Sequence, residues 1–158
     1  MKKQSGFTIV ELLIVIVIIG ILAAITIVAY NGIQERSEFS RLQSNLASVN
    51  KAVKLYYADN GSYPVTGPGV WSGYYSATND SFVPGLAPKY ISTTPQVGGT
   101  TQHPSFIYRS DTGSEYKLIY IVAGTATLPA SHMTNNPLID PIRTTRAWGY
   151  WSSGGQGM

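Results

Sequence analysis

Phe7-Thr8-Ile9-Val10-Glu11 leads into LLIVIVIIGILAAITIVAY, Leu12–Tyr30. Residues 12–34 carry no charge, and the run from Leu12 to Tyr30 holds no proline and one glycine, Gly20. About 20 apolar residues span a hydrocarbon core as a helix, so a membrane-length helix is expected rather than the core helix of a small domain. Beyond residue 61 the chain turns rich in Ser, Thr, Gly, Pro and Tyr, with sparse and mixed charge. A water-soluble domain should therefore follow the helix. A secretory signal peptide is the rival reading, since Lys2 and Lys3 form a basic start and Leu22-Ala23-Ala24 resembles a cleavage site. Two features oppose it. The apolar run exceeds the usual signal-peptide core of about 7–15 residues. Glu11 also adjoins the run, inside the apolar segment that starts at Phe7, and a carboxylate inside a membrane helix costs about 3 kcal/mol on insertion scales and ordinarily has a partner and a role.

Composition removes several function classes. Eleven Lys and Arg against eight Asp and Glu give a net charge of +3 over 158 residues, too little for phosphate neutralisation, so no direct nucleic-acid binding is expected. There is no cysteine, which excludes disulfides, thiolate metal sites and thiol nucleophiles. The two histidines, His103 and His132, are read as surface or turn residues. P-loop, GxGxxG, HExxH and GxSxG patterns do not occur, so no catalytic residue is assigned, no cofactor is expected and the chain is not read as an enzyme.

Lys2-Lys3-Gln4-Ser5-Gly6-Phe7-Thr8-Ile9-Val10-Glu11-Leu12 resembles the class III signal of type IV pilins and type II secretion pseudopilins. That signal is a basic leader ending in Gly, then Phe-Thr, two apolar residues, Glu and an apolar helix. The resemblance implies a pilin fold, with prepilin peptidase cutting between Gly6 and Phe7 and methylating the new amine of Phe7. It also implies a role for Glu11 with Phe7 in filament assembly, and matches Gly20 to the glycine that weakens the family's helix. The family's frequent helix proline is absent, since Val28 stands there. The expected organisation is a leader at 1–6, a transmembrane and filament-core half-helix at 7–34, an amphipathic half-helix at 35–60 and a globular head at 61–158.

Apolar periodicity continues past the membrane run. Phe39, Leu42, Leu46, Val49, Val53 and Tyr56 fall at intervals of three and four, one helical face, while Arg36, Glu38, Arg41, Ser44, Asn45, Ser48, Lys51 and Lys54 occupy the others. Asp59-Asn60-Gly61 supplies a helix stop. The stretch Tyr57 to Pro64 resembles the helix-to-loop junction of pseudopilins, with Tyr63 expected back on the helix end. Residues 65 to about 103 read as a long loop in which Leu86, Tyr90 and Ile91 dock. Ser105–Ser110 and Glu115–Ala123 form a hairpin signal around Asp111-Thr112-Gly113-Ser114, with Tyr116, Leu118, Tyr120 and Val122 on one face and Lys117, Ile119 and Ile121 on the other. Arg146–Trp151 reads as a further strand. The fold class is α+β: a long N-terminal helix against an antiparallel sheet of three to four strands.

Some pseudopilins bind calcium through loop oxygens near the last strand. Asp140 is the candidate here, weakly seconded by Asp111 and Glu115, but the spacing is not that of a calcium loop, so no metal site is assigned. The leading expectation is the subunit of a homo-oligomeric type IV pilus filament. The precursor sits in the cytoplasmic membrane with its head outside, meets the prepilin peptidase and the assembly platform, and ends in a surface filament. The alternatives are the major pseudopilin of a type II secretion system and, from another class, a membrane-tethered extracellular binding domain.

Overall fold

The computed structural model describes residues 7–73, 82–95, 105–122 and 124–158. Gly6, the basic leader, His103, Ala123 at the end of the expected second strand and parts of the long 65–103 loop lie outside the described residues. Helix α1 runs Ile9–Asn60, then β1 (Ser105–Arg109), β2 (Lys117–Ile121), the short α2 (Ala130–Met133) and β3 (Ala147–Trp151). The chain divides into two compact units, Met1–Glu38 and Phe39–Met158.

The first unit holds the apolar half of α1. Its described apolar side chains, from Phe7 through Ile25, are exposed. Among its helical residues, Ile9–Thr26 is long and apolar enough to cross a membrane. The helix passes through Gly20 without a break.

The second unit is built on the amphipathic half of α1. Leu42, Leu46, Val49 and Val53 are fully buried, and Phe39 and Tyr56 are partly so, as their spacing requires. Ala52 joins the same face, while Arg41, Ser44, Ser48, Lys51 and Lys54 face outward. Burying each of the large aliphatic side chains is worth about 1.5–3 kcal/mol, enough to set which face turns inward. The helix ends where the stop signal stands: the Gly61 N–H donates to Tyr57 O at 2.8 Å and Gly61 takes φ of 70°. Tyr63 stacks on Tyr57 at 4.4 Å between ring centres.

The sheet is three-stranded and antiparallel in the order β1-β2-β3. The register pairs Phe106 with Tyr120 and Tyr120 with Trp148, all turned to the α1 stripe, together with Tyr108, Tyr116, Leu118 and Val122. The opposite face carries a second cluster of Ile107, Ile119, Ile121 and Ala147, closed by Trp71 and Trp151. Every residue of β2 is therefore buried. Ser72 forms a two-way bridge with Tyr108 along one edge, and Ile139 bridges Trp148 along the other, so neither outer strand is left wholly open. Leu86 is buried, and Tyr90 and Ile91 pack on the core, as expected of the long loop.

His132 departs from its reading as a surface or turn residue. It lies on α2, 4% exposed, stacked on Phe39 at 4.6 Å and beside Tyr120 and Trp148. An imidazole is as good a ring as any for covering aromatic neighbours, and local polarity in the sequence does not reveal which neighbours arrive.

Candidate functional site

The N-terminal segment positions the residues that the sequence singles out. Thr8 precedes the first helical residue, Ile9, and Glu11 stands three positions after it. The Thr8 N–H donates to Glu11 Oε2 at 2.8 Å and the Thr8 hydroxyl donates to the same oxygen at 2.7 Å. The Glu11 N–H returns a longer bond to Thr8 Oγ1 at 3.3 Å. This is a capping box, which satisfies backbone donors that a helix start leaves orphaned and places a negative group at the positive end of the helix dipole. The pattern Thr-x-x-Glu was readable as such in the sequence; weighing Glu11 only as a membrane carboxylate passes it over.

The same economy holds farther along. The Thr26 hydroxyl donates to Leu22 O at 3.0 Å and Ala23 O at 2.9 Å, so its polar atom is spent within the helix. Phe7 is 84% exposed. A ring, a cap and a carboxylate thus stand together at the mouth of an apolar helix whose described large side chains have no cover. Such a surface has the chemistry of something held in lipid or among other apolar helices.

The calcium candidates are engaged elsewhere. Asp140 is fully buried; its Oδ1 takes the Lys117 ammonium at 2.9 Å and the Ile142 N–H at 2.9 Å, and its Oδ2 takes Arg143 Nη1 at 3.0 Å. Two cations of the chain's own already stand against it. Asp111 forms a two-pronged pair with Arg109, at 2.7 and 2.6 Å, and accepts the Gly69 N–H; the guanidinium holds its carboxyl below the usual range. Glu115 accepts from the Ser152 hydroxyl and the Gly154 N–H. Among the described residues no three acidic or histidine side chains gather to hold a metal.

Alternation along β2 reads Lys117 only as an outward strand residue. It is wholly buried, and burial pushes its ammonium below the ordinary lysine range while Asp140 pulls it back. Two buried tyrosines are polar anchors of the core. Tyr116 donates to Asn50 Oδ1 at 2.6 Å and Tyr108 to Pro64 O at 2.9 Å, and burial raises both phenols well above their ordinary value. Arg109 and Arg143 both lie over the Trp71 ring, at 5.8 and 5.0 Å.

Residues 1–27 match the prokaryotic N-terminal methylation motif. The chain is 35% identical over 88 residues to the type II secretion system core protein G of Escherichia coli K12, covering 56% of this chain and 58% of that protein. It is 33% identical over 79 residues to the core protein G of Vibrio cholerae, covering 50% and 54%. It is also 52% identical over 64 residues to the fimbrial protein EcpC of Eikenella corrodens, covering 40% and 41%. The chain spans about half the length of the curated relatives it matches. No solved structure matches it. The chain thus carries the methylation motif and is similar to a secretion-system core protein and to a fimbrial protein.

Proposed function

We propose that the chain is the subunit of a type IV pilus-like filament, and specifically a pseudopilin of a type II secretion system. The observation that carries this reading is the capped, uncovered apolar helix that begins within the methylation motif. The likeness to core protein G reaches over more of the chain than the likeness to the fimbrial protein, which reverses the order in which the sequence alone ranks secretion and pilus. The surface-pilus reading stays as the second one because of the 52% identity to the fimbrial relative.

In this reading prepilin peptidase removes residues 1–6 and methylates the amine of Phe7. The precursor waits in the cytoplasmic membrane through the 7–34 half-helix, with the head beyond the membrane, until an assembly platform extracts it. Helices that leave lipid for a protein core gain little from water exclusion, so contact packing and polar pairing select the register. Glu11 then receives the methylated amine of Phe7 from a neighbouring copy. A carboxylate has acceptor capacity beyond its bonds to Thr8, so the cap and this pair are compatible. A contact from one copy's Glu11 to the next copy's Phe7 is heterologous and does not close, as a filament requires. Gly20 would act as the point where the helix yields on extraction, since glycine is the weakest helix former short of proline.

Mass spectrometry of assembled protein tests the processing. A chain beginning at methylated Phe7 is expected, and an intact Met1 on assembled protein overturns the reading. Deleting the gene separates the two systems: loss of secreted enzymes with surface filaments retained supports the pseudopilin, and the reverse supports the pilus.

A further inference from the structure

Lys117 opens β2 on the sheet face turned away from α1, where a lysine ordinarily reaches water. Here the side chain is completely buried. Its ammonium donates to Asp140 Oδ1 at 2.9 Å, Gln156 O at 2.8 Å and Met158 O at 3.0 Å, which uses all three of its donors. These acceptors come from two segments that are distant from β2 along the chain: the turn beginning at Asp140, and the turn Gly154–Met158. The Trp151 ring lies 5.5 Å from Nζ. Arg143 completes the group by reaching both Asp140 Oδ2 and Met158 O, the latter at 3.2 Å. One side-chain carboxylate oxygen and two main-chain oxygens converging on a buried point are the ligand chemistry of a hard cation, and an ammonium occupies that point.

We infer that Lys117 is a tethered cation that clasps the Gly154–Met158 turn to the sheet, in the place of a bound metal ion or a disulfide. The turn's other ties run to the two residues before β2: Ser152 N–H to Tyr116 O, Gly154 N–H to Glu115, and Gly155 lying so close to Tyr116 O that a Cβ has no room. Only the Arg143 bond to Met158 O also reaches the Asp140 turn, and it does not touch the sheet. The Lys117 ammonium ties both turns to β2 at one point, and with no cysteine in the chain no disulfide can do so. The inference stands on the geometry of the second unit and does not depend on how the protein assembles.

The experiment uses the full chain in detergent micelles. In the wild type, nitrogen-15 NMR should resolve a solvent-protected Lys117 ammonium signal at neutral pH; an ammonium exchanging as fast as exposed lysines overturns the clasp. Chelator should leave hydrogen exchange at Gly155 and Met158 unchanged; faster exchange would mean that a metal holds the turn. Lys117→Ala should speed exchange of these two amides at least tenfold while the amides of residues 46–53 keep their protection. Added n-propylammonium should restore the turn in this variant, and the neutral n-propanol should not. Unaltered exchange in the variant, or equal rescue by the alcohol, would show that the side chain only fills space. If the variant does not fold, the ammonium signal and the chelator result in the wild type decide the matter.

Discussion

Glu11 serves two demands through one carboxylate: it closes the helix start with Thr8, and in the proposed filament it receives a neighbour's amine. Glu11→Gln separates them, because a glutamine oxygen can still accept from Thr8 in a capping box while the charge is gone. The variant is expected to be made, inserted and cleaved, yet to enter filaments poorly, since a buried cation without its partner costs about 3–5 kcal/mol. The ratio of subunit in sheared filaments to subunit in membranes reads this out, and a wild-type ratio would leave Glu11 only its cap. Leu46 poses a simpler question. It is fully buried at the centre of the α1 stripe, so Leu46→Ala should cost about 2–5 kcal/mol. Leu46→Asp should abolish a cooperative melt by placing an unpaired charge under the sheet. An undiminished melt in either would mean that the stripe does not form the core.

The elements follow rules that act over a few residues, and this makes them legible. The spacing from Phe39 to Tyr56 marks the inward face of α1, and Asn60-Gly61 ends it. The hairpin is announced by alternation on either side of Asp111-Thr112-Gly113-Ser114, with Gly113 at φ of 84° where a side chain would be strained. What alternation leaves open is the fate of the outer sheet face. Ile119 and Ile121 point there correctly, yet only the arrival of Trp71 and Trp151 makes that face a second core. Gly149 belongs to this layer. It sits opposite Ile119, and a Cβ built on it would run into Leu118 O and the Ile119 backbone. Gly149→Ala should therefore destabilise the head by about 1–3 kcal/mol through overpacking. Gly157→Ala, with open space around it, serves as the control. Equal urea midpoints for the two would show that β2 and β3 do not approach as closely as described.

At the scale of the whole molecule, Phe39–Met158 has a core of its own. A fragment of residues 35–158 should fold alone, remain soluble and melt cooperatively; aggregation or a featureless melt would contradict this. The fragment should also weaken in alkali. The Tyr108 and Tyr116 phenols are raised by burial above the ordinary value of 10.0, so the folded state keeps protons that the unfolded chain loses. Their contribution is whole below that value and is lost as pH rises beyond it toward the folded-state values. Urea midpoints followed from about pH 8 to about pH 11 should be level at first and then fall, with a lagging share of the tyrosinate absorbance. A midpoint that stays level above the ordinary tyrosine value would remove both phenols from the stability of the core.

The sequence alone determined the apolar helix, its change to an amphipathic one, its stop, the hairpin and the last strand. Each depends on backbone geometry and on periodicity within a few residues, and so is written locally. Tertiary structure alone decided which distant partners the polar and ring side chains meet. Tyr116 meets Asn50 across 66 positions and Lys117 meets Asp140 across 23. His132 covers Phe39, and Asp140 pairs with Lys117 and Arg143. Local rules can say that a side chain points away from the helix, but not whether water or another part of the chain lies there. That depends on which distant segments win the contact, and the burial and ion pairing that settle it exist only once the chain has closed on itself.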